Sequence, residues 1–120
     1  MTVRAVRGAT QVERNDRDEL LEATAELVRA VLERNNLAPA DLISVIFTAT
    51  PDLTADFPAY AARAIGITDV PFLCATEIDV PGAMPRVVRL LAHVDTPASR
   101  EGVRHVYLRG AAALRTDLPR

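Results

Sequence analysis

"PFLCATEIDVPGAMPRVVRLLAHV", residues 71–94, holds two runs of strand-forming residues separated by a Pro-Gly turn at 81–82. In the second run Val88, Leu90, Ala92 and Val94 alternate with Arg89, Leu91 and His93. That is the two-residue period of a strand whose faces meet different surroundings. One face is apolar throughout, while the other carries a guanidinium. The first run, 70–80, reads as a strand that includes Cys74 and Glu77. Charged groups on sheet faces are costly unless they are paired, solvated or holding a ligand. Glu77 and Arg89 therefore demand partners.

Working outward, "NDRDELLEATAELVRAVLERNN" at 15–36 is the clearest helix. Asp16 fits the N-cap with Glu19 three residues on, a capping-box pattern. Leu20, Leu21, Thr24, Leu27, Val28 and Val31 form one stripe, and Glu22, Glu26, Arg29 and Glu33 face water. Asn35 or Asn36 suits the left-handed residue that ends it, and Pro39 blocks its resumption. "TVRAVRGAT" at 2–10 reads as a strand with Val3, Ala5 and Arg7 on one face. "DLISVIFTAT" at 41–50 is a buried strand, rich in Ile, Val, Phe and Thr. The loop "PDLTADFP" follows, then a short helix in "PAYAARAIG", with Pro58 in its first turn and Gly66 just past its end. "VRHVYLRG" at 103–110 is the last strand, with Tyr107 opposite Val106 and Leu108, and "AAALRTDLPR" closes as a turn or short helix.

This order predicts one α+β domain over 1–120, a mixed five-stranded sheet with one long helix and short helices. One long helix covers one sheet face. The other face keeps Arg7, Arg89 and Tyr107 among apolar neighbours, which points to self-association with sites near the seams.

Composition narrows the function classes. The 120 residues include 14 basic side chains, all arginine, against 16 acidic ones, for a net charge of −2. The arginines are dispersed, so no nucleic-acid footprint is visible. No apolar run approaches the roughly 20 residues of a membrane span, and no leader-like amino terminus is seen, so no membrane partner is expected. A single cysteine cannot form an internal disulfide, which makes a cytoplasmic setting the default.

Catalytic signals read singly stay open. Cys74 as a nucleophile needs a basic partner, and neither His93 nor His105 is placed beside it by the sequence. One cysteine and two scattered histidines make no zinc spacing, so no metal is expected. With five glycines, no GxGxxG or GxxxxGK loop occurs. Glu77 alone fits an exposed strand end, and Arg7, Arg63, Arg89 and Arg115 alone fit solvated or salt-bridged arginines.

Five segments taken together say more: "RGAT" at 7–10, "TPDLTADFPA" at 50–59, "CATEIDVPG" at 74–82, "RHVYL" at 104–108 and "LRTDL" at 114–118. In this order and spacing the chain resembles the single-domain trimeric chorismate mutases, the α+β class unrelated to the all-helical one. The resemblance implies a homotrimer in which three sheets form a pseudo-α/β-barrel, with chorismate bound in clefts between subunits. It implies rearrangement of chorismate to prephenate, a [3,3] shift needing no nucleophile, general base or cofactor. By the same resemblance Arg89 stabilises the breaking ether oxygen, and Glu77 accepts a hydrogen bond from the ring hydroxyl. Arg7 and Tyr107 hold a carboxylate, and Cys74 contacts the hydroxyl through backbone and side chain. Phe57 and Ala59 wall the pocket from the adjacent subunit, with Leu73 on the facing strand. Arg63 and Arg115 are outer charges that capture the dianion. The chain departs from the family pattern at Tyr60, where the family example carries lysine, at Leu73, which replaces a more polar residue, and in its short tail after 118. Two other readings share the architecture: a trimeric imine hydrolase that uses an inter-subunit arginine, and a silent binder of small carboxylates.

Overall fold

The computed structural model describes residues 1–114. The elements are β1 (Thr2–Gln11), α1 (Arg17–Arg34), a 3-10 turn at Pro39–Asp41, β2 (Leu42–Ala49), α2 (Ala59–Ala64), β3 (Phe72–Thr76), β4 (Val87–Thr96), β5 (Val106–Arg109) and a closing 3-10 turn at Gly110–Ala113. One sheet contains all five strands in the order β3-β2-β4-β1-β5. β4 runs antiparallel to both β1 and β2, while β5 lies parallel to β1 and β3 parallel to β2. The expected mixed sheet is present, with the arginine-bearing β4 at its centre.

The long helix starts where the sequence places it. Asp16 is extended, and its carboxylate accepts from the Glu19 backbone N–H at 2.9 Å. Only that half of the capping box forms, because the Glu19 side chain reaches past Asp16 to the backbone N–H of Glu13 and to Arg14. Donation from the Glu13 N–H holds the Glu19 carboxyl below its usual range, although burial pushes the other way. The anchor is thus a clasp over the preceding turn. At the other end Asn36 adopts φ 53°, the left-handed conformation that asparagine tolerates.

α1 lays Leu20, Thr24, Leu27, Val28 and Val31 on the sheet; Leu21, expected in the stripe, is only half-buried, and Ala23 and Leu32 complete it instead. Gly8 sets how close the helix comes: a Cβ there would lie 3.1 Å from Leu27 Cδ1 and 3.2 Å from Leu90 Cγ. Beneath α1 the core gathers Val6, Phe47, Leu90, Ala92, Val94 and Val106, with Ala59 and Ala62 of α2 at its edge. Phe47 is fully buried and meets Phe72 edge-on, ring centres 5.7 Å apart. Burial of each such side chain contributes about 1.5–3 kcal/mol.

Among the described residues no helix lies over the opposite face. Val3 and Leu73 are 56% and 61% exposed there, and Ala5 and Arg7 are also open. One end of this face is covered, where Ala9, Val87, Tyr107 and Ala111 cluster with Met84 and Leu114.

Two strands are shorter than their sequence runs. β3 stops at Thr76, so Glu77 follows the strand and does not belong to it; the ladder makes one last bond, Glu77 N–H to the Ala49 carbonyl at 2.9 Å. β2 ends at Ala49, leaving residues beyond Glu77 nothing to pair with. β5 begins at Val106 because Arg104 is tied to Asn35, its N–H donating to Asn35 Oδ1 at 2.8 Å, and His105 takes a bond from β1 through its ring.

Candidate active site

Register brings the chemistry to one line across the open face. Ala9 pairs with Tyr107 on one side and Arg89 on the other; Arg89 pairs with Thr48, and Thr48 with Ala75. Cross-strand partners point to the same face. Arg7, two residues before Ala9, joins them by the strand period. An open cleft of about 350 Å³ is lined by Arg7, Gly8, Arg89, Leu90, Tyr107 and Leu114. Two guanidiniums and a phenol thus converge on one concave surface, a setting for a small anion.

Glu77 swings over this face from the end of β3. Its Oε1 pairs with the Arg89 guanidinium, and its Oε2 accepts from Thr48 Oγ1 at 2.7 Å. The Glu77 side chain is 15% exposed and that of Arg89 41%. The carboxylate is therefore held from both sides, whereas the arginine keeps an edge toward the cleft. Thr48 is a residue the sequence reading missed. Its threonine sits in an apolar run, and only the β2–β4 register, a long-range fact, puts it beside Arg89.

The other expected residues fall into two groups. Phe57, Tyr60 and Arg63 form an exposed cluster around α2: Phe57 and Tyr60 meet edge-on at 5.9 Å, and Arg63 lies 5.6 Å above the Tyr60 ring and 6.0 Å from that of Phe72. None of them lines the Arg89 cleft. Leu73 shares the Arg89 face, since it pairs with Ile46, and Ile46 with Leu91. Arg115 lies outside the described residues.

Two residues sit differently from expectation. Cys74 pairs with Phe47, so its side chain points to the helix-covered face and packs on the core. Its thiol is turned away from Glu77 and Arg89, and only its backbone remains to meet a ligand on their side. Ala59 is 4% exposed within the core, because α2 is amphipathic and turns its alanines inward. The histidines have other work: His93 Nδ1 is 3.3 Å from Ser44 Oγ, and His105 Nδ1 accepts from the Arg7 N–H at 3.0 Å. Among the described residues no three His, Cys, Asp or Glu side chains gather as a metal cage, and no helix is long and apolar enough to cross a membrane.

The loop 50–58, which presents Phe57, is pinned along its length. Asn15 accepts from the Thr54 and Ala55 N–H groups, both at 3.0 Å, and donates to Thr54 Oγ1 at 2.8 Å. Arg17 Nε meets Asp56 Oδ2 at 2.7 Å. Asp52 accepts from the N–H of Arg86, which is held at φ 54° just before β4 begins. A loop so fixed can offer Phe57 to another surface in one conformation.

A sequence model of the family described as chorismate mutase type I matches residues 3–118. The chain belongs to the chorismate mutase type I family. It is 50% identical over 117 residues to the chorismate mutase AroH of Thermus thermophilus, covering 97% of this chain and 96% of that one. It is 40% identical over 119 residues to the AroH chorismate mutase of Bacillus subtilis strain 168, covering 98% and 94%. Its structure is similar to that of a chorismate mutase from Clostridium thermocellum, with TM-score 0.90 and 44% identity over 92% of this chain and 98% of the other. The fold class is that of a chorismate mutase of type I, the long helix on one sheet face and the Arg89 cleft on the other.

Proposed function

We propose that this chorismate mutase, an isomerase converting chorismate to prephenate, works by holding its substrate between Arg89 and Glu77 on the open sheet face. The observation that carries this reading is the convergence of Arg7, Arg89 and Tyr107 on one cleft with Glu77 poised at Arg89.

The reaction breaks a carbon–oxygen bond and forms a carbon–carbon bond within one molecule. Atoms only change partners, so the chemistry calls for no nucleophile, general base, metal or cofactor. The protein has two tasks. It restricts a flexible dicarboxylate to the compact conformer in which the reacting carbons meet, an orientational effect. It also stabilises negative charge that grows on the ether oxygen, which needs a fixed cation in a water-poor site. Arg89 performs the second task, its planar fork reaching both the ether oxygen and a carboxylate. Arg7 and Tyr107 fix a carboxylate, Glu77 accepts from the ring hydroxyl, and the Cys74 backbone N–H donates to that hydroxyl's oxygen.

The cleft is open on one side, Leu73 is exposed on the same sheet face, and the exposed Phe57, Tyr60 and Arg63 cluster around α2 outside the cleft. In a homotrimer the loop 50–58 and α2 of one subunit wall the cleft of the next. Phe57, and Ala59 through its backbone, line that wall, and Arg63 and Arg115 supply outer positive charge. A cytoplasmic location fits the lone cysteine. The relatives favour the mutase over the imine hydrolase and over the silent binder.

The test is to mix purified protein with chorismate, follow loss of its near-ultraviolet absorbance and identify prephenate as product. Catalysed loss is expected; no acceleration over the uncatalysed rate would overturn the reading. In the same assay Glu77→Ala is expected to lower kcat roughly ten- to a hundredfold, the worth of a hydrogen bond to a charged group. Tyr60→Lys restores a charge near Arg63 and should raise kcat/KM by roughly a few-fold at low salt while leaving kcat alone. A salt-independent change in kcat would contradict a role in capture.

A further inference from the structure

We infer that Thr48 is a positioning residue for the mutase reaction, the group that decides which oxygen of Glu77 the substrate meets. The inference rests on the reading of Glu77 and Arg89 as the residues that hold chorismate.

In this structure each Glu77 oxygen has one partner: Oε1 the Arg89 guanidinium, Oε2 the Thr48 hydroxyl at 2.7 Å. The Arg89 contact with Glu77 runs through Nη1, which leaves the rest of the guanidinium fork for the ether oxygen. Oε1 keeps a second acceptor site beside Arg89, and the ring hydroxyl donates there. Oε2 stays with Thr48. Glu77 follows the end of β3, where its N–H bond to Ala49 is the last bond of the ladder. With Arg89 as its sole anchor, the Glu77 side chain would be free to rotate about that one contact. Thr48 lies on β2, between β3 and β4, and its own backbone is set by pairing with Ala75 on one side and Arg89 on the other. A rigid strand thus carries the donor that orients a carboxylate on a loop. Positioning of this kind affects the reacting geometry more than substrate capture, since Thr48 lies behind Glu77 and does not line the Arg7–Arg89–Tyr107 cleft.

Thr48→Val keeps the β-branched shape and removes the donor. It is expected to lower kcat about tenfold with KM changed less than threefold, the order of one lost hydrogen bond to a charged group. Thr48→Ser should recover most of the loss. In a Glu77→Ala background, Thr48→Val should add less than a further twofold loss, because the side chain it orients is gone. Three results would overturn the role: wild-type kcat in Thr48→Val, no recovery in Thr48→Ser, or the full tenfold loss repeated in the Glu77→Ala background. Wild-type protein that fails to turn over chorismate would instead sink the functional reading, and the role of Thr48 with it.

Discussion

Arg89→Ala is expected to lower kcat for chorismate by about 10²–10³-fold, the range seen when a single donor to a developing oxyanion is removed. The expectation follows from where the side chain sits. Arg89 is on β4, the central strand, paired on both sides, so its backbone is fixed before substrate arrives. Its guanidinium borders the cleft with Arg7 and Tyr107 and is kept in place by Glu77. A cation held in this way needs little reorganisation when charge builds on the ether oxygen. The loss should fall on kcat more than on KM, since the proposed carboxylate contacts, Arg7 and Tyr107, are left in the cleft. Arg89→Lys should recover only part of the rate, because an ammonium is a point charge and cannot span two oxygens as the guanidinium fork does. With Arg89 41% exposed, the variant should stay folded, which a thermal melt checks. Near-normal turnover in folded Arg89→Ala would remove this residue from the mechanism.

Phe47→Ala is expected to destabilise the protein by about 3–5 kcal/mol, the cost of emptying a packed aromatic site. Phe47 has no exposed surface and lies on β2 between Cys74 of β3 and Leu90 of β4. Its ring packs edge-on against Phe72, so the substitution also removes an aromatic pair. Little can collapse into the gap, because strands on both sides are locked by their ladders and α1 lies across Gly8 at contact distance. The melting temperature should fall by more than about 10 °C. A loss under about 1 kcal/mol in denaturant unfolding would mean that the core relaxes far more than its packing implies.

Much of the fold is readable from local patterns because local physics decides it. The face alternation of β4, the Asp16 cap, the left-handed Asn36 and the Gly66 stop at φ 96° depend on residues close in sequence. What is not readable depends on partners far along the chain. β3 ends at Thr76 because β2 ends, which the run "TEIDV" does not disclose. Cys74 and Glu77 look like neighbours in one strand, yet they serve opposite faces: one paired with Phe47 over the core, the other bound to Arg89 and Thr48. Ala59 adjoins an exposed loop but is drawn into the core by α2. Thr48 gave no signal at all, since its importance comes from register with Arg89. Roles for the site residues came from family resemblance and not from spacing, because a [3,3] shift calls for no motif-bound metal, nucleophile or phosphate loop.

The central claim is that each site is completed by a second copy: the Arg89 face from one subunit and the Phe57 loop from the next. The most direct test is to co-express two variants that are each inactive alone, Arg89→Ala and Phe57→Asp, the latter placing a negative charge against the dianion. In a trimer with sites between neighbours, every mixed assembly contains one site with both halves intact. Random mixing should therefore restore about a quarter of wild-type activity per subunit. A site built within one subunit would leave the mixture as inactive as its parents, and that result would contradict the account.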